Sequence, residues 1–186
     1  MRLLLASGNP HKVEELRAAL PGFEIHDFAA LGTPPENGAT YLDNARIKAR
    51  HARAHAPSDA WVAGEDSGIE AAALGGRPGI ESARWAEDGV AALLAALATT
   101  GDRRVRYVSE LVVISPHGEE LRGTGTLDGV VADAPRGTQG FGYDPIVIPL
   151  GETLTVAELG DAWKSEHSHR ARAARALRDE LLRRDR

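Results

Sequence analysis

The sequence predicts an α/β fold built on a mixed sheet, and two observations carry that prediction. Apolar strands alternate with helices through the first half, and a long antiparallel hairpin follows them. Residues 1–186 read as a single domain, because 186 residues suffice for one ordinary core and no repeat, low-complexity tract or linker divides them.

Arg2 to Ala6 reads as a buried strand, and Ser7-Gly8-Asn9-Pro10 turns it into a helix from about His11 to Leu20. Asn9 suits the cap of that helix and Pro10 its first position. A short strand, Phe23 to Asp27, leads into a Pro, Gly and Asn loop ending at Thr40. There an alanine-rich helix begins and runs to about Ala56, where Pro57 stops it. Trp61 to Gly64 is the next strand, and its end delivers Glu65-Asp66-Ser67-Gly68 as an acidic turn. After the turn Gly75-Gly76-Arg77-Pro78-Gly79, a helix spans about Asp88 to Ala98. Val105 to Ser115 then alternates, and Pro116-His117-Gly118 reverses it into Glu119 to Val131, giving the hairpin. Gly137 to Gly142 is a second glycine-rich loop, Ile146 to Ile148 a last short strand. The closing helix, about Ser168 to Arg184, carries an apolar stripe of Ala174, Leu177 and Leu181.

Composition narrows the function. A net charge of −5 argues against gripping nucleic acid through its phosphates, so an anionic substrate needs a local basic site. Without cysteine there is no disulfide or thiolate metal site, which fits a reducing compartment and leaves oxygen and imidazole as metal ligands. No apolar run approaches the ~18 residues of a membrane span. The chain reads as soluble and cytoplasmic, with no membrane partner.

Several segments could carry chemistry, each with a plainer alternative. The Ser7-to-Lys12 turn meets a helix N-terminus, where backbone amides welcome a phosphate; alternatively it is a capped helix with a solvated lysine. Glu65 and Asp66 are hard oxygen ligands of the kind Mg²⁺ takes, or a solvated acidic turn. Glu36 is a second metal ligand or a loop acid. Thr40 and Asp43 have the spacing of a capping box, which we take as the role of Asp43. Lys48 points at phosphate or at water. His51 and His55 share a helix face at metal-ligand spacing, yet no third ligand supports them. Phe141-Gly142-Tyr143-Asp144-Pro145 offers aromatics for a stacked base or an inward loop anchor. Lys164, His169 and Arg170 gather near the last helix, facing phosphate or solvent. Gly123-Thr124-Gly125 lacks the third glycine of a dinucleotide fingerprint, and no P-loop is present.

In order and spelling these segments resemble the inosine triphosphate pyrophosphatase family, the house-cleaning purine nucleotide pyrophosphatases. The resemblance runs through Leu5-Ala6-Ser7-Gly8-Asn9 with Lys12, Glu36-x-Gly38-x-Thr40, Asp43-Asn44-Ala45 with Lys48-Ala49, and Glu65-Asp66-Ser67-Gly68. It continues with Leu74-Gly75-Gly76-x-Pro78-Gly79, Ser82-Ala83-Arg84, Gly140-Phe141-Gly142-Tyr143-Asp144-Pro145, and Lys164-Ser165 with Ser168-His169-Arg170. It implies an elongated mixed sheet with flanking helices, two lobes around a central nucleotide-binding cleft, and a homodimer. The implied activity is hydrolysis of deaminated purine nucleoside triphosphates (ITP, dITP, XTP) to monophosphate and pyrophosphate, which keeps them out of nucleic acids. The implied cofactor is Mg²⁺, held by Glu36 and Asp66.

The resemblance assigns the triphosphate to Ser7, Gly8, Asn9, Pro10, His11, Lys12, Lys48 and Lys164. The purine goes to Phe141, Gly142, Tyr143, Asp144, His169 and Arg170, with Ser67 and Arg84 completing the pocket. Asp66 is the implied base, orienting water toward the α-phosphorus, with Glu65 as helper. On this reading donors from His169, Arg170 and the backbone amides near Phe141 to Asp144 discriminate inosine and xanthosine from adenosine. This chain has Asp43 where glutamate is common, Pro10-His11 at variable positions, and Gln139 for a frequent glycine. A related group acting on modified or pyrimidine nucleotides opens with paired arginines, which are absent here. A nucleotide sensor without hydrolysis is the rival of another class.

Overall fold

A computed structural model describes residues 2–28, 32 and 34–184; the loop expected after Asp27 lies partly outside them. Among the described residues six strands form one mixed sheet: β1 (Arg2–Ala6), β2 (Glu24–Asp27), β3 (Trp61–Ala71), β4 (Arg104–Ile114), β5 (Glu120–Val131) and β6 (Val147–Pro149). Their order is β2-β1-β3-β4-β5-β6, with β1 parallel to β2 and β3 and the remaining pairs antiparallel. Among the described residues five α-helices accompany the sheet: α1 (Pro10–Ala19), α2 (Tyr41–His55), α3 (Gly89–Ala96), α4 (Val156–His167) and α5 (His169–Arg184).

Strand alternation sorts the core onto two faces. Leu3, Leu5, Ala63, Leu111 and Val113 meet Leu16 of α1 and Ala173, Ala174 and Leu177 of α5. Leu4, Val62, Val112 and Ile114 turn the other way, onto Ala45, Ala49 and Ala52 of α2. A third cluster, with Ile69, Leu93, Val105, Tyr107, Leu127 and Ile146, lies farther along β3 and β4. The site falls between these clusters.

Glycine allows the closest approaches of helix to sheet. A Cβ on Gly64 would lie 2.2 Å from the carbonyl oxygen of Ala45. On β5, Cβ atoms at Gly123 and Gly125 would each stand 2.0 Å from an α5 carbonyl, those of Ala173 and His169. The Gly123-Thr124-Gly125 segment is therefore the seat of α5, and it sets the position of His169 and Arg170.

Two expectations change. Glu65-Asp66-Ser67-Gly68 is no turn: β3 continues straight through it, paired with β4 from Val62↔Ile114 to Ala71↔Val105. A strand can carry these acids inward because each finds a cation. Helix α4 had no counterpart in the sequence reading, although Thr155 and Glu158 form a capping box at its start. Gly160, at φ 82°, breaks the helical period and masks it. The expected capping box of Thr40 and Asp43 is present on α2.

Candidate active site

β1 pairs with β3 only as far as Gly64. Beyond it, the β1 side of β3 meets the Glu70–Pro78 bridge, the Arg77 carbonyl that accepts from the Ala71 amide, and Ser82, whose Oγ accepts from the Ile69 amide at 2.9 Å, while Lys48 Nζ donates to the Glu65 carbonyl at 3.0 Å. The gap leaves Glu65 to Gly68 flanking a cleft where the strand order reverses, the usual position of a ligand in such sheets.

Because β3 is extended through the motif, its two acids point to opposite faces. On the α2 face, Lys48 Nζ donates to Asp66 Oδ1 at 2.9 Å and pairs with Glu36 Oε1 at 2.7 Å, while Asn44 Nδ2 donates to Asp66 Oδ2 at 3.2 Å. Arg84, 51% exposed, stands at the rim, 3.9 Å from Glu36 Oε2. Lys48 is thus buried, not solvated. Burial raises the Asp66 pKa, with Lys48 opposing. Lys48 itself is raised, since Asp66 and Glu36 outweigh its own desolvation.

On the α5 face, Glu65 is 1% exposed. It accepts from Ser109 Oγ at 2.9 Å and Arg170 Nε at 3.0 Å, and pairs with Lys12 at 2.8 Å. Burial pushes its pKa up, but Arg170 and Lys12 prevail and hold it well below the carboxylate range. This carboxylate lies on the face away from Asp66, with both oxygens engaged by Ser109, Arg170 and Lys12. Arg170 spends Nε on Glu65, Nη1 on Glu15 at 2.5 Å and Nη2 on Ser67 Oγ at 2.7 Å. Lys164 is bonded to Asp144 Oδ2 at 2.7 Å and to Glu15 at 2.5 Å. Glu15 and Tyr107, neither foreseen as site residues, thereby join it. Glu15 follows Lys12 by three positions on α1, one face of that helix, and that spacing was the available signal.

A cavity of about 230 Å³ opens on this face. Asn9, Lys12, Ser67, Phe141, Asp144 and His169 are among the residues that border it. Its neighbour, about 440 Å³, lies across Phe141 and is bordered by His11, Glu15 and Lys164. The Phe141 ring stacks on His11 at 5.1 Å, with Lys164 Nζ 4.8 Å from its centroid. Tyr143 is the loop anchor: it is buried and donates its hydroxyl to Ser82 O at 3.0 Å. Gln139 fastens the same loop by accepting from the Asp161 amide at the Gly160 break. His169, 6% exposed, stacks on Tyr107 at 4.6 Å, and its Nδ1 has no hydrogen-bond partner. Burial and then Arg170 hold its pKa well below the usual value, so the ring is neutral.

Of the first loop, Asn9 and Lys12 border the 230 Å³ cavity and His11 its neighbour. Asn9 Oδ1 caps α1 through the His11 amide, Ser7 Oγ accepts from the Asn9 amide, and Gly8 has open space beside it. Pro10 occupies the first turn. For a metal, Glu36 and Asp66 both reach one lysine nitrogen and so lie close together. This donor set fits Mg²⁺, which takes one or two carboxylates beside water and phosphate oxygens. His51 and His55 gather no third ligand: among the described residues no group of three or more His, Asp or Glu side chains stands ready for a metal.

The profile of the Ham1 family matches residues 3–180. The chain belongs to the Ham1 family. It is 47% identical to a dITP/XTP pyrophosphatase of Symbiobacterium thermophilum, over 95% of this chain and 93% of that one. A dITP/XTP pyrophosphatase of Bdellovibrio bacteriovorus is 41% identical, over 97% and 98%. Among solved structures, the Ham1 protein of Staphylococcus aureus superposes with a TM-score of 0.85 at 32% identity, covering both chains fully. A nucleoside-triphosphatase, or dITP/XTP pyrophosphatase, of Mycobacterium abscessus gives 0.72 at 38% identity, over 95% and 97%.

Proposed function

We propose that this Ham1-family chain hydrolyses deaminated purine nucleoside triphosphates, dITP and XTP among them, to the monophosphate and pyrophosphate, with Mg²⁺ as cofactor. The observation that carries the reading is the split of β3. Its Asp66 face holds an acid pair beside Lys48, and its Glu65 face opens onto a cavity walled by Phe141 and a neutral imidazole.

Charge balance supports the metal. Glu15, Glu36, Glu65, Asp66 and Asp144 are matched against Lys12, Lys48, Lys164 and Arg170, with Arg84 at the rim. No positive surplus is left to receive a triphosphate of about four negative charges, so a divalent ion must enter with it. Mg²⁺ held by Glu36 and Asp66 would supply neutralisation of the charge developing on the pyrophosphate leaving group. Lys12 and Lys48 bind phosphate oxygens, and the open Gly8 backbone allows close approach of the chain. Asp66 uses one carboxylate oxygen to orient the attacking water and to take its proton. Phe141 stacks the base, while Asn44 and Lys48 keep Asp66 in place.

Pyrophosphate release from inosine, xanthosine, guanosine and adenosine triphosphates, with and without Mg²⁺, tests the reading. The first two are expected to react efficiently, guanosine weakly and adenosine least. Chelation is expected to abolish release and Mg²⁺ to restore it. Full activity after chelation refutes the metal role, and binding without pyrophosphate release favours the sensor. A homodimer and a cytoplasmic setting belong to the same proposal. Sedimentation equilibrium decides the first. Among the described residues no helix is long and apolar enough to cross a membrane.

A further inference from the structure

Tyr107 lies on β4, two residues from Ser109 and on the same face, in the wall of the 230 Å³ cavity. Its hydroxyl donates to Asp144 Oδ1 at 3.1 Å. The other Asp144 oxygen is held by Lys164 Nζ at 2.7 Å and by the Phe141 amide at 2.9 Å. Both oxygens of the acid nearest the aromatic loop are therefore taken by donors of the protein. The Tyr107 ring also stacks on His169 at an interplanar angle of 7°, which fixes the imidazole whose Nδ1 is unpartnered.

We propose that Tyr107 is a specificity-determining positioning residue: its hydroxyl engages Asp144 Oδ1, as Lys164 and Arg170 engage the Glu15 carboxylate in the same cavity, so that these acids are weakened as acceptors for a purine 2-amino group. The inference rests on the cavity being the base site of the proposed reaction. A free carboxylate oxygen there would reward guanine, whose 2-amino group and N1–H are adjacent donors that suit a carboxylate. Inosine carries the N1–H alone, and adenine has neither donor. Tyr107 accordingly penalises guanosine selectively by withholding an acceptor, and the penalty costs the deaminated purines little.

The test is Tyr107→Phe, which preserves the stack on His169 and removes only the hydroxyl. The ratio of kcat/KM for guanosine triphosphate to that for inosine triphosphate is expected to rise about fivefold or more, the worth of one hydrogen bond to a charged acceptor. The adenosine-to-inosine ratio is expected to stay within about twofold. An unchanged guanosine ratio overturns the proposal, and so does a parallel fall for all three nucleotides, which marks a merely structural role. Calorimetric affinities for inosine, guanosine and adenosine monophosphates separate this idea from the proposed reaction. Should the unaltered protein release no pyrophosphate, the reaction fails. The guanosine-to-inosine affinity ratio of Tyr107→Phe against the unaltered protein then still decides for or against Tyr107. Tyr107→Leu, which loses hydroxyl and stack together, is expected to weaken all three.

Discussion

Arg170→Ala tests the electrostatic frame of the site. The side chain is 2% exposed, and its three nitrogens bond Glu65, Glu15 and Ser67. Truncation leaves Glu65 buried with Lys12 and Ser109, and Glu15 with Lys164 alone as counter-ion. Breaking one partner out of a buried ion pair costs about 3–5 kcal/mol, most of it the stranded charge. For a chain of this size that corresponds to a fall of about 6–20 °C in Tm. Urea titration at neutral pH measures it directly. Because Nε, Nη1 and Nη2 are all bonded to other side chains, turnover is expected to fall alike for every nucleotide. That differs from the base discrimination assigned to Arg170 by resemblance. The double variant Glu65→Leu with Arg170→Met, which strands no charge between them, is expected to be more stable than Arg170→Ala. A loss below about 1 kcal/mol, or one confined to inosine and xanthosine triphosphates, refutes the reasoning.

Three further outcomes follow from the same geometry. Asp66→Asn keeps an oxygen for Lys48 and so retains the fold, but is expected to lose about 10²–10⁴ in pyrophosphate release; near-normal turnover would remove Asp66 from the chemistry. His169 is depressed in the folded state, so the unfolded chain takes up a proton that the native one refuses. Its contribution is complete above about pH 6.5 and falls as pH drops toward the folded value, by up to about 1.4 kcal/mol per unit. His169→Phe should flatten that acid limb in chemical unfolding, and identical limbs would show that the imidazole is protonated in place. A Cβ at Gly125 would lie 2.0 Å from His169 O and 2.3 Å from Ala173 N, backbone atoms that cannot yield. Gly125→Ala is expected to cost about 1–3 kcal/mol and to displace His169 and Arg170, with activity falling in step. Gly101→Ala, with nothing within 4 Å, serves as the control and should leave both unchanged.

Local pattern was enough for much of this protein. Periods of two and of 3.6 residues marked β1, the β4–β5 hairpin, α2 and α5, and Thr40 with Asp43 announced the start of α2. The chemical inventory was equally legible: lysines beside glycine, paired acids, and aromatics in a glycine-rich loop, in an order that resembles one enzyme family. What sequence alone determined, then, was which elements form and which functional groups they carry, because both depend on residues a few positions apart.

The tertiary structure decided where those groups point. Glu65 and Asp66 are neighbours in sequence, yet β3 runs on through them and sends one to Arg170 and the other to Lys48. A run of acids looks like a turn only until the cations that pay for their burial are seen, and those lie on α1, α2 and α5. Arg170 meets Glu15 across 155 positions and Tyr107 meets Asp144 across 37, distances at which local spacing holds no information. Helix α4 escaped notice for the opposite reason, since Gly160 breaks its period and only the fit of Gln139 beside that break closes it. Burial, strand alternation and long-range ion pairing are properties of the packed chain, and they turned a list of reactive residues into two faces of one cleft.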